Sequence, residues 1–154
     1  MFFTDNNDKT ILTIAVDGNE KMETYYVYDA RNQLRYVLPP EATHQLGMSI
    51  DISVLEKLAY YYDYDALGQL KRKLCGEHIV ENLSYNICGW ITDIQSSYFS
   101  QTLHYTDGSG IPCYNGNISS MTWHSGSEDG LQGYKFVYDG FSRLKDVVYG
   151  EGEL

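Results

Sequence analysis

One short pattern constrains this chain more than any other: an aromatic residue, then Asp or Asn, then an aliphatic residue five positions after the acid or amide. It occurs as Tyr28-Asp29 with Leu34, Tyr64-Asp65 with Leu70, Tyr85-Asn86 with Ile91, and Tyr138-Asp139 with Leu144. Copies that share three fixed positions identify a repeat, and a repeated supersecondary unit decides the fold before any single residue does. The spacing is that of a tight turn. Asp or Asn at the first turn position accepts a hydrogen bond from the backbone two residues on, and the residue three places after it needs tolerance for positive φ. Gly68 and Gly89 have that tolerance, Asn32 is the next best choice, and Ser142 is the weakest. Each copy therefore reads as strand, turn, strand, with Tyr26 and Tyr28 on one strand face and Tyr62 and Tyr64 likewise. Leu34, Leu70, Ile91 and Leu144 share one repeat position, which predicts a common buried face.

Composition agrees with a β-rich chain. Fifteen tyrosines and fourteen glycines against three prolines, in 154 residues, favour pleated strands joined by glycine turns. A hydrophobic fraction of 43% excludes general disorder. The length is that of one domain. "KTILTIAV" and "KMETYYVY" flank Asp17-Gly18-Asn19, a hairpin signal, and "SYFSQTLHY" and "NISSMTWH" flank a longer glycine-rich loop at 106–116. Residues 39–59 break the rhythm. There "PPEATHQL" places proline at a helix start and "SVLEKLA" carries helix formers at helical spacing. The expectation is a mainly β fold of antiparallel hairpins, ten or eleven strands in all, in one segment over 1–154. The hairpins fall at 10–38, 60–95, 98–124 and 133–149, with a helical insertion at 39–59.

Charge and motif content narrow the function classes. A formal charge of −10 repels nucleic acid and anionic membranes at long range. Lys71-Arg72-Lys73 is the one local basic stretch and reads as a solvated strand end. Cys75, Cys88 and Cys113 form no CxxC pair and allow at most one internal disulfide. No apolar run reaches the roughly 18 residues of a membrane helix, and "MFFTDNNDKT" lacks the basic start and apolar stretch of a signal peptide. His44, His78, His104 and His124 fall in different elements without metal-ligand spacing. Cys88 or Cys113 could be drawn as a nucleophile with His104 as base, but nothing in the spacing favours the pair. "DGSGIPCYNGN" lies between two strands and reads as a hairpin loop, not a phosphate cradle. The motif aspartates read as turn formers, because a catalytic pair would not need to be repeated. The residues thus predict no catalytic site, cofactor or metal. Trp90 and Trp123 read as core aromatics, with stacking on a sugar as the alternative.

The stretches "YYVYDARNQLRYVLPP", "YYYDYDALGQLKRKL", "YNICGWITDI", "YNGNISSMTWH" and "YKFVYDGFSRLKDVVYG" resemble the tyrosine-aspartate (YD) repeats of Rhs-family proteins, which are related in this region to teneurins. The wording is similar to Rhs proteins of the Bacteroides type, over nearly the whole of Phe2 to Gly150. The resemblance implies a long sheet that curves or spirals into a hollow shell, which in Rhs toxins encloses a C-terminal toxin domain. It implies a structural segment without catalysis, partnered by the remainder of the same polypeptide and its toxin cargo. Secretion or cell-surface placement is implied with it. The family's DPxGL-type core segment has no counterpart in these residues, so the chain reads as an interior segment. Such a segment leaves sheet edges unpaired, and self-association is expected. The competing class is a carbohydrate- or protein-binding β module that uses exposed Tyr and Trp, with Trp90 and Trp123 as stacking residues.

Overall fold

The computed structural model describes residues 1–46, 51–76, 78–126 and 130–151, with backbone alone at His78 and Ile79. Two helices and twelve antiparallel strands lie among the described residues, rather than ten or eleven strands. The fold class is the expected one. Part of the difference is the hairpin at the start of the sequence, whose turn lacks the aromatic marker. Contacts divide the chain into two units, Met1–Val80 and Glu81–Leu154.

The first unit contains β1 (Phe2–Thr4), β2 (Thr10–Asp17), β3 (Glu20–Tyr28), β4 (Leu34–Leu38), α1 (Pro40–Leu46), α2 (Ile52–Leu58), β5 (Tyr60–Tyr64) and β6 (Leu70–Cys75). Successive strands pair with their chain neighbours, so every connection is local. Cross-strand partners share a face. One row runs Val27, Tyr36, Tyr61, Leu74, and the row beside it runs Tyr26, Val37, Tyr60, Cys75. Both faces are apolar here, because "YVYD" and "YYYDY" do not alternate with polar residues. A sheet with two apolar faces needs cover, and the helical insertion supplies it on one side. Ile52, Leu55 and Ala59 stand over Tyr36, Tyr61 and Leu74 around a cleft of ≈ 550 Å³. Tyr36 and Tyr61 meet with ring centres 5.2 Å apart.

The helices have local causes. Pro40 occupies the first position of α1, where its missing N–H would have had no partner. Asp51 caps α2, its Oδ1 accepting from the Ser53 amide at 2.9 Å and the Ser53 hydroxyl at 2.7 Å. At seven residues neither helix would persist alone, so both depend on the sheet. Ala42 and Ala59 are the buried contacts. At Gly76 the chain passes so close to α2 that a Cβ would lie 2.2 Å from the Lys57 carbonyl oxygen.

The second unit contains β7 (His78–Tyr85, which begins just before the division), β8 (Ile91–Gln95), β9 (Phe99–His104), β10 (Ser120–Ser125), β11 (Gln132–Tyr138) and β12 (Leu144–Glu151). Its faces differ in kind. Leu103, Met121, Tyr134 and Tyr149 form one cross-strand row, whereas His104, Ser120, Lys135 and Val148 form the next. Trp123 and Phe136 join the aromatic side. Trp123 lies 5.0 Å from Tyr134, and Tyr134 lies 5.5 Å from Tyr149 and 6.2 Å from Phe136. Each such pair contributes about 0.5–1.5 kcal/mol beyond its burial.

Deep burial is scarce throughout. Among described apolar residues only Ala42, Ala59 and Tyr105 are buried in either unit. Leu34, Leu70 and Ile91 are half-buried, and Leu144 is 57% exposed. The expected common buried face is therefore corrected. The repeat position has a partner strand on both sides in the interior hairpins, but Leu144 lies on β12, with no described strand beyond it.

Candidate functional site

The repeated turns are the most elaborated feature of the chain. At each, the acid or amide oxygen Oδ1 accepts two backbone N–H groups of its own loop. Asp29 takes those of Arg31 (2.8 Å) and Gln33 (2.9 Å), Asp65 those of Leu67 (2.9 Å) and Gln69 (2.9 Å). Asn86 takes Cys88 and Trp90, both at 3.0 Å, and Asp139 takes Phe141 (2.9 Å) and Arg143 (3.1 Å). The residue three places on is left-handed in every copy: Asn32 (φ 63°), Gly68 (85°), Gly89 (79°) and Ser142 (60°). The tyrosine then pairs with the aliphatic residue across a bulge, Tyr28 with Leu34, Tyr64 with Leu70, Tyr85 with Ile91 and Tyr138 with Leu144. This is a type I turn closed by a left-handed bulge residue, which matches the twist of the flanking strands.

A fifth copy escapes the sequence pattern. Asp5 Oδ1 accepts the amides of Asn7 (2.8 Å) and Lys9 (3.0 Å), Asp8 is left-handed (φ 59°), and Thr4 pairs with Thr10 across the same bulge. Thr4 and Thr10 stand where Tyr and Leu stand elsewhere, so a search by aromatic residue misses it. The signal that finds it is "DNNDK", an acid followed three residues later by a residue tolerant of positive φ. A sixth copy is split. Gly116 (φ 91°) precedes Ile118 by two residues, as Gly89 precedes Ile91, but an insertion separates them from Tyr105.

These turns are tied to one another by two sets of bonds. In the first, the motif tyrosine donates its hydroxyl to the carbonyl of the aliphatic position in the hairpin before it. Tyr28 reaches Thr10 (3.0 Å), Tyr64 reaches Leu34 (3.0 Å), Tyr105 reaches Ile91 (2.8 Å) and Tyr138 reaches Ile118 (2.9 Å). In the second, a turn side chain reaches the left-handed residue of the following turn. Lys9 Nζ donates to the Asn32 carbonyl, and Gln33 Nε2 to that of Gly68 at 3.0 Å. The Trp90 indole lies against Gly116, where a Cβ would come within 3.1 Å of the ring, and Asn115 Nδ2 donates to Ser142 Oγ at 2.8 Å.

Electrostatics follow this geometry. The carboxyl of Asp29 is held below its ordinary range, first by the Gln33 amide, and that of Asp5 by the Lys9 amide. Asp139 is lowered chiefly by the Arg143 guanidinium, 2.7 Å away. Burial raises the phenols of Tyr64, Tyr105 and Tyr138, which keeps them protonated as donors.

Among the described residues the remaining chemical groups do not assemble. Trp90 is half-buried and packs against Gly116 and Tyr105, with ring centres 5.0 Å apart in the aromatic pair. Arg72 of the basic stretch lies 3.5 Å from Asp63, which also meets Arg35 at 3.3 Å. The three thiols are unpaired. Among the described residues no three His, Cys, Asp or Glu gather as metal ligands, and no helix is long and apolar enough to cross a membrane. The His78 side chain lies outside the described residues. Asp107 Oδ2 stands 3.1 Å from His104 Nδ1, and the imidazole lowers that carboxyl. Ser120 pairs with His104 across the strands, yet its hydroxyl has no hydrogen-bond partner and the residue is 1% exposed. A nucleophile needs access and a bonded base, and this corner has neither.

No family model matches this chain, and neither does any curated protein. Among solved structures it is similar to a chain in the crystal structure of TcdB2-TccC3-TEV, with a TM-score of 0.55 and 17% identity. The likeness covers 90% of this chain and 6% of that one. The fold is Rhs-like. At this identity the comparison speaks for the antiparallel YD-repeat sheet itself.

Proposed function

We propose that this chain is a scaffold segment of an Rhs-type shell, the Bacteroides type among them, with no catalytic activity of its own. In the complete assembly the segment would be one stretch of a wall around a secreted or delivered toxin cargo, continuous with the rest of the same polypeptide. The carrying observation is the double set of bonds between successive hairpins, tyrosine to carbonyl and turn to turn. These bonds spend the conspicuous polar side chains on joining repeat to repeat. Likeness in fold to TcdB2-TccC3 supports a shell-like scaffold. Scarce deep burial supports a segment whose faces are completed by neighbours.

Thermal melting with a sugar panel, beside an apolar fluorescent dye, tests the reading. Dye binding to the folded chain, with no sugar moving the melting temperature, is the expected result. A melting temperature that rises with one particular sugar overturns it, because a ligand stabilises the state that binds it. That outcome would make the chain a carbohydrate-binding module, with the Trp123 and Tyr134 group as its platform.

A further inference from the structure

We propose that the outer edge of β12 is a recognition edge for a hairpin strand ending in Tyr-Asp or Tyr-Asn, whose hydroxyl seats on the Leu144 carbonyl. The inference rests on the scaffold reading and adds the chemistry of the partner. Thr10, Leu34, Ile91 and Ile118 each receive a tyrosine hydroxyl from the following hairpin. Leu144 is the equivalent residue of the last hairpin, and among the described residues no tyrosine reaches its carbonyl. The second set of bonds ends at the same place. Lys9 and Gln33, each the fourth residue after its acid, reach the next turn. Arg143 occupies that position in the last turn, and its guanidinium instead folds back onto Asp139 at 2.7 Å, 74% exposed. One edge thus carries an acceptor awaiting a tyrosine and a donor awaiting a turn carbonyl, in the relative placement that the interior hairpins use.

The occupant is specified by what would fail. A second copy presenting β1 would place Thr4 where the tyrosine belongs, since Thr4 pairs with Thr10 as Tyr28 pairs with Leu34. A threonine side chain is too short for the acceptor. Backbone pairing along the eight residues of β12 would accept many strands, but the hydroxyl contact discriminates. The fitting strand has Tyr, then Asp or Asn, then a residue tolerant of positive φ three places on.

The test extends the full chain beyond Leu154 by a Gly-Ser linker and a second copy of residues 60–75, with its cysteine as serine. A linked hairpin has a high effective concentration, which offsets its weak stability alone. Amide hydrogen exchange over residues 144–151 is read in this fusion, and in one whose added tyrosine at the copy of Tyr64 is phenylalanine. Protection of β12 by the tyrosine fusion, falling about fivefold with phenylalanine, is the expected result. Arg143→Ala in the tyrosine fusion should reduce protection as well. Equal protection by both fusions, or none by either, overturns the inference. Neither result bears on the scaffold reading, which the unextended chain tests by its own association.

Discussion

The hydroxyl of Tyr64 sits 3.0 Å from the carbonyl oxygen of Leu34, thirty residues earlier and one hairpin away. Tyr64 is also the strand residue that enters the turn at Asp65, so one side chain sets the turn and the spacing to the previous turn. In a sheet with little deep burial, such point contacts fix each hairpin on the next.

Tyr64→Phe should therefore destabilise by about 1 kcal/mol, the net worth of an ordinary hydrogen bond. Tyr98→Phe, at a residue 84% exposed, should be silent. Urea midpoints at an unchanged slope measure both. Equal midpoints for the two variants would remove the tyrosine contact from the account.

Turn geometry predicts opposite signs at equivalent positions. Gly68→Val should cost more than about 1 kcal/mol, because φ is +85° and a Cβ there meets Gln33 Nε2 at 3.1 Å. Asp8→Gly should stabilise by about 0.5 kcal/mol, because aspartate is already held at φ 59° against its preference and its exposed side chain makes no bond between turns. Ala66→Ser, exposed in the same turn as Gly68, should change little. Thermal unfolding of the three variants gives the order directly.

Much of this was legible in the sequence, and the limits have physical causes. The hairpin fold and the left-handed roles of Asn32, Gly68 and Gly89 follow from local turn chemistry, which one segment carries alone. The Asp5 turn was hidden because its aromatic and aliphatic positions hold threonine, so the tyrosine marks the link between hairpins while the acid marks the turn. Tyr105 was hidden because an insertion separates it from Gly116 and Ile118. The exposure of Leu144 was not legible either. Its repeat position matches that of Leu34, and only strand order shows that one is interior and the other is last.

The pH dependence has two sides. The carboxyls of Asp5, Asp29 and Asp139 are lowered in the fold, so their contribution is present above the unfolded value near 4 and is lost as pH falls through the folded value. The phenols of Tyr64, Tyr105 and Tyr138 are raised, so theirs is present below about 10 and is lost as pH rises through the folded value. Asp29→Asn keeps the Oδ1 acceptor, as Asn86 does, and should flatten the acid limb while preserving the turn. A melting-temperature series from pH 2 to 7 that showed the same acid loss in wild type and variant would contradict this assignment.

Light scattering across protein concentration, in low and high salt, separates a scaffold segment from a self-contained module. A scaffold segment has an edge strand and an aromatic face that its neighbours cover, so the isolated chain should associate as concentration rises. Association should survive high salt, since apolar contact and backbone pairing are not screened as ion pairs are. A chain that stays strictly monomeric at every concentration and salt level, while unfolding cooperatively, would be a self-contained module and would contradict the account.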